Sequence, residues 1–188
     1  MSVPCDKIIL SSKSYLSIIA ETYSYFNIET GGIFLGKEIN NIWYVLENID
    51  PGYKRTIRQN AYFEYDQEYV NHLANIRNRL YYSDIKLIGL WHKHPGSFDS
   101  FSQTDDGTNK RFAELHSNGA ISALINVDPD FRITMYHVSN PLNYQRIDNI
   151  LIGDSYIPDK YKKLKNPKDY IKSVNQKIET TNKKKYFQ

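Results

Sequence analysis

The sequence predicts a mixed α/β domain, and three observations carry that prediction. Short apolar runs of strand type, such as KIIL, GGIFLG, KLIGLW and AISALINV, alternate with longer segments whose apolar residues recur at helical spacing. The chain has 188 residues, room for one compact domain and a tail. Its 40% hydrophobic and 24% charged residues can fill a core, which excludes a disordered or fibrous chain.

In chain order, Lys7 to Ser12 reads as a strand. The segment from Ser12 to Phe26 sets Tyr15, Ile18, Ile19, Tyr23 and Phe26 near helical spacing, with Ser11 or Ser12 as cap. Gly31 to Gly36 is a glycine pair followed by an apolar run. Asn40-Asn41 forms a hairpin turn into a second strand that Pro51-Gly52 ends. From Tyr65 to Ser83, Val70, Leu73, Ala74, Leu80 and Tyr81 mark an amphipathic helix whose start Asp66 favours. Lys86 to His94 reads as a strand buried on both faces at its beginning. Ser102 and Asp105 have the spacing of a capping box, with Asp in place of Glu or Gln, so a helix is expected from there to about His116. Residues 120–127 and 131–138 follow as strands joined by a turn at Asp128-Pro129-Asp130. Beyond about Asn140 the periodicity weakens at Pro141, Pro158 and Pro167. The expected organisation is therefore a domain over 1–140 and an extension over 141–188, basic from about 158 and partly helical or mobile, with a helix around Tyr170 to Ile178.

Charge is uneven. From Pro158 onward ten lysines face Asp159, Asp169 and Glu179, a net +7, while the rest of the chain carries −4. A basic arm on a mildly acidic domain suits an acidic partner or nucleic acid, although lysine-rich ends are more often simply solvated, and nucleic acid is not the expected partner. No apolar run is long enough to cross a bilayer and the first twelve residues lack a secretion signal, so no membrane association and a cytoplasmic location are expected. Cys5 is the only cysteine, which excludes an internal disulfide and a cysteine-based metal cluster.

The densest chemistry lies in WHKHPGSFDSFSQTDD, residues 91–106. His92 and His94, two apart at the end of a strand, point to the same side. Pro95-Gly96 turns the chain, and Asp105 returns in the first turn of a helix to face them. Two histidines and one carboxylate leave the fourth tetrahedral position of a zinc ion open, the arrangement of a catalytic site. His72, His116 and His137 have no motif partners and are read as structural or surface residues. Asp99 and Asp106 are read as solvated loop positions.

The pattern H-x-H-x7-S-x2-D, standing here as His92, His94, Ser102 and Asp105, resembles the JAMM motif of the JAB/MPN/Mov34 metalloproteases. Glu29-Thr30-Gly31-Gly32 before Ile33-Phe34-Leu35-Gly36 is similar to that family's upstream glutamate signature. Agreement at four fixed positions arises by chance on the order of once in a thousand chains of this size. The resemblance covers roughly Lys7 to Ser139. It implies a curved mixed β-sheet flanked by helices, a layer arrangement like that of cytidine deaminases, with residues 1–140 as the metalloprotease domain. It further implies one Zn2+ ligated by His92, His94 and Asp105, Glu29 as the base that deprotonates water, and Ser102 as an oxyanion donor beyond its capping role.

Bacterial members of this compact form resemble peptidases encoded beside ubiquitin-like conjugation enzymes, including those of antiphage operons. The implied substrate is the C-terminal tail of a ubiquitin-like protein or its conjugates, with E1- and E2-like enzymes as partners and an extended tail added to a sheet edge. An amidase acting on a small molecule or a sulfur-carrier protein shares the chemistry, and a noncatalytic scaffold of the same fold is the rival from another class. Lys93 stands where the family commonly has Ser or Thr. Period-two alternation turns it away from the metal, and contact with an acidic substrate is the alternative. Oligomeric state is not set by the sequence.

Overall fold

The computed structural model describes residues 5–166 and residue 168. A chain of alternating elements builds one mixed sheet of eight strands flanked by helices, the architecture expected. The strands are β1 (Lys7–Leu10), β2 (Thr30–Ile39), β3 (Ile42–Ile49), β6 (Lys86–Lys93), β7 (Ala120–Asn126), β8 (Arg132–Ser139), β9 (Asn143–Ile147) and β10 (Ile150–Ile152). Their order across the sheet is β10-β1-β3-β2-β6-β7-β8-β9. A small separate hairpin pairs β4 (Ile57–Gln59) with β5 (Tyr62–Glu64).

Among the described residues, three longer helices follow from local signals. Helix α1 (Ser12–Ser24) begins where the Ser11 side chain accepts the Ser14 N–H. Helix α2 (Gln67–Leu80) begins where Asp66 accepts the Tyr69 N–H. Helix α3 (Gln103–Ala113) opens on a complete capping box between Ser102 and Asp105. It ends short of His116, because Leu115 N–H turns back to Phe112 O and Gly119 takes a positive φ of 77° to enter β7. A short helix α4 (Asp159–Lys162) follows a single 3-10 turn.

Apolar side chains fill both faces of the sheet. Ile18 of α1 joins Phe34, Trp91 and Ile121 on one side; Val70 of α2 and Phe112 of α3 join Leu46 and Leu90 on the other. Each such fully buried side chain contributes about 1.5–3 kcal/mol. The central strands approach closely, so that a Cβ at Gly36 or Gly89 would collide with the backbone carbonyl of Tyr44 or Ile121. Asn40 and Asn41 both have positive φ, 52° and 64°, the signature of the tight hairpin expected between β2 and β3.

The sheet does not stop at residue 140. β9 pairs antiparallel with β8, and β10 pairs parallel with β1, so residues 141–152 are edge strands of the same sheet. The periodicity fades there because both strands are short and half exposed. The helix expected around Tyr170 to Ile178 lies outside the described residues.

Candidate metal centre

Strand register brings the site together. β2 and β6 are antiparallel neighbours with Thr30 opposite Lys93 and Gly31 opposite His92, which sets Glu29, the residue before β2, beside the end of β6. The glycine pair makes this approach feasible: a Cβ at Gly31 would lie 2.8 Å from Phe63 Cε1, and one at Gly32 would lie 2.5 Å from Trp91 Nε1. His94 is held just past β6 by its N–H to Ile125 O at 3.1 Å. The Pro95-Gly96 turn, with Gly96 at φ 85°, then leads back to α3.

His92 lies between two carboxylates. Its Nδ1 is 2.6 Å from Asp105 Oδ1 and its Nε2 is 3.2 Å from Glu29 Oε2. His94 Nε2 is 3.3 Å from Asp105 Oδ2, and its Nδ1 lies 3.3 Å from Phe98 O, so each ring nitrogen faces an oxygen. All four side chains are largely buried. Burial alone would depress the His92 pKa, but the hydrogen bonds to Asp105 and then to Glu29 outweigh it and push it up to about 9. Burial would likewise raise Asp105, yet hydrogen bonds from the two imidazoles and the Ser102 N–H hold its carboxyl well below the usual range. The pocket thus attracts positive charge, which a divalent cation supplies as well as a proton does.

Among the described residues, Glu29, His92 and His94 form a group that could hold a metal ion, with one ligand atom from each within 4.8 Å of the others. Asp105 touches both imidazoles. Geometry alone therefore offers either carboxylate as a third ligand. Two imidazoles and buried carboxylate oxygens are the donor set that zinc prefers.

Ser102 is engaged in the capping box. Its Oγ donates to Asp105 Oδ2 at 2.7 Å and accepts the Asp105 N–H at 3.2 Å, while its own N–H donates to the same Oδ2 at 2.7 Å. The hydroxyl proton thus goes to Asp105 rather than into the cleft. Asp99 pairs with Arg132, and Asp106 accepts from Tyr144 at 2.7 Å, so neither is a free loop carboxylate. His116 and His137 contact backbone carbonyls, consistent with structural roles, and His72 is exposed. Lys93 is fully buried, which overturns the alternative that it meets an acidic substrate.

Sequence reasoning missed several supports of the site. The β4–β5 hairpin carries Phe63 to 5.9 Å from the His92 ring, and its Gln59 carbonyl accepts the Glu29 N–H at 2.9 Å. Arg58 anchors that hairpin to Glu21 at 2.7 Å and lies 3.8 Å from the centre of the Tyr25 ring. Asn126 holds the loop after His94 by donating to Phe98 O at 2.7 Å. Three-residue strands are too short for alternation to show, although Asn60-Ala61 between two β-rich triplets was a turn signal. The cleft beside these residues has a volume of about 990 Å3, and Tyr62, Phe63, Phe98, Phe101 and Phe112 line its apolar walls.

The fold and the site define a class: a mixed α/β domain with a buried histidine–carboxylate cluster of metal-ligating type where a central strand ends. The chain belongs to the family of prokaryotic homologues of the JAB domain, whose model matches residues 11–136. Its fold is also similar to the solution structure of protein DSY2949 from Desulfitobacterium hafniense. That similarity has a TM-score of 0.56 at 15% identity, over 79% of this chain and 97% of the other. No curated protein sequence matches the chain. Among the described residues, no helix is long and apolar enough to cross a membrane.

Proposed function

We propose that this protein is a zinc-dependent peptidase or isopeptidase that cleaves after the C-terminal tail of a ubiquitin-like protein, in precursor processing or deconjugation. The observation that carries the reading is the convergence of Glu29, His92 and His94 at one buried point, with Asp105 against both imidazoles. His92, His94 and Asp105 would hold the ion, leaving Glu29 as base; this division follows the family resemblance. Zn2+ in such a site supplies Lewis acidity, polarising a carbonyl and lowering the pKa of water to about 7.

The residues supply the rest. Glu29, fixed by its backbone to the β4–β5 hairpin, takes the proton of the attacking water and returns it to the departing amine. Ser102 orients Asp105 by donating its hydroxyl proton to Oδ2; the oxyanion role that the family resemblance gives Ser102 requires that proton to turn from Asp105 to the carbonyl oxygen as that oxygen gains charge. The apolar cleft excludes water along an extended peptide, and the β4–β5 hairpin offers an edge to which such a peptide can add. E1- and E2-like enzymes of a shared operon, including an antiphage one, are the partners this reading implies.

The test is elemental analysis together with cleavage of a ubiquitin-like C-terminal fusion. The reading expects about one zinc per chain, loss of that zinc in His94→Ala, and chelator-sensitive cleavage that drops at least about a hundredfold in Glu29→Gln. A zinc-replete chain that binds no zinc would sink the reading in favour of a scaffold. A zinc-loaded chain that hydrolyses a small amide but no fusion would shift the substrate class.

A further inference from the structure

Lys93 stands between the two histidines yet reaches nothing in the cleft. Strand alternation sends its side chain to the opposite face of the sheet, where it is 0% exposed. Its ammonium donates to three backbone carbonyls, those of Tyr25 at 2.7 Å, Phe26 at 2.6 Å and Ile28 at 2.7 Å. All three of its N–H donors are used. These carbonyls belong to the turn that follows Ser24, the last residue of α1, where a helix leaves acceptors unsatisfied and its dipole favours a cation. The residue after Ile28 is Glu29.

We infer that Lys93 is a positioning residue for Glu29: by clamping the carbonyls of residues 25, 26 and 28 it fixes the turn that delivers the Glu29 carboxylate to His92. The clamp grips the turn from behind the sheet, while the Gln59 carbonyl holds the Glu29 N–H at 2.9 Å from the hairpin side. Serine or threonine at position 93 is too short to span the distance. Arginine is long enough, but its planar fork does not match three carbonyls converging on one point. The kinetic part of the inference rests on Glu29 being the base; the restraint on the turn does not.

The test compares the full-length wild type with Lys93→Met and Lys93→Arg, all supplied with zinc. The readouts are zinc per chain, amide hydrogen exchange at Glu29 with the β7 amides as internal reference, and kcat and KM on ubiquitin carrying a C-terminal peptide extension. Lys93→Met is expected to keep wild-type zinc, to exchange at Glu29 at least about tenfold faster with β7 unchanged, and to lose about a hundredfold in kcat with KM within about twofold. Lys93→Arg is expected to fall between the two, and it is read alone if the methionine variant does not fold. Unaltered exchange at Glu29 overturns the inference, and so does equal acceleration throughout the sheet, which would make Lys93 a general stability residue. If the wild type cleaves nothing, the proposed function fails while the exchange comparison still decides the clamp.

Discussion

Asp105 divides its work between its two oxygens. Oδ2 accepts the Ser102 N–H and hydroxyl and so closes the first turn of α3, while Oδ1 meets His92 Nδ1 at 2.6 Å. Ser102→Ala removes one half of that box and is expected to cost about 1 kcal/mol, read as a lower urea midpoint at unchanged m. The same substitution is expected to lower turnover roughly a hundredfold if the hydroxyl also serves the carbonyl oxygen. Cys5, buried in the core, offers a titration at a group that touches none of the site's side chains. Burial pushes its thiol up to about 12, with the Asp6 and Glu38 carboxylates adding to the rise and a backbone hydrogen bond at Lys7 opposing it. The folded state therefore disfavours the thiolate, so this contribution to stability is complete below the unfolded thiol's pKa of 9.0 and is lost as pH rises toward about 12. At pH 8 a disulfide reagent should attack the native thiol about a thousandfold more slowly than the thiol of the guanidinium-unfolded chain. Comparable rates would show that Cys5 is accessible. The meeting of His92, His94, Ser102 and Asp105 was legible in the sequence because fixed spacing on one strand and one helix start is local information. Arg58 and Lys93 were not, because their partners are set by tertiary packing.

At the scale of elements, the β4–β5 hairpin is a small piece fastened by a buried ion pair. Arg58 and Glu21 have side chains only 8% and 13% exposed, and Thr30 Oγ1 also donates to the Glu21 carboxylate. Arg58→Ala strands that carboxylate and is expected to cost about 3 kcal/mol and roughly 10 °C in Tm. Replacing both charges, as in Glu21→Gln with Arg58→Met, is expected to recover part of that loss, and a double-mutant cycle by thermal melting checks it. Additive losses would show that the pair is not coupled. The three longer helices were legible because each opens on its own cap, Ser11, Asp66 or Ser102, and α1 and α2 add apolar residues near helical spacing. The hairpin was not, because three-residue strands gain their stability from Phe63 packing over Gly31, a contact that no local pattern announces.

At the scale of the whole molecule, the domain closes on residues that sequence periodicity assigned to an extension. Ile147 and Ile157 are 4% and 2% exposed, each seated in a core cluster whose other members lie almost entirely before residue 140. A fragment ending at residue 140 leaves both sockets empty and two edges unpaired. It is expected to lose at least about 5 kcal/mol and cooperative melting, whereas a fragment ending at residue 166 keeps both. Calorimetry of the two fragments decides, and a cooperative transition in the shorter one would restore the boundary at 140. The arrangement of the edge has a mechanical meaning as well. β1 and β10 run parallel, with Ile8, Ile9 and Leu10 registered against Ile150, Leu151 and Ile152. Tension on the two ends of the domain would therefore load the bonds between these strands side by side, in shear, once the residues beyond Ile152 have yielded. A sheet gripped this way must break several hydrogen bonds at once instead of unzipping them singly, so the fold is built to withstand being pulled from its ends.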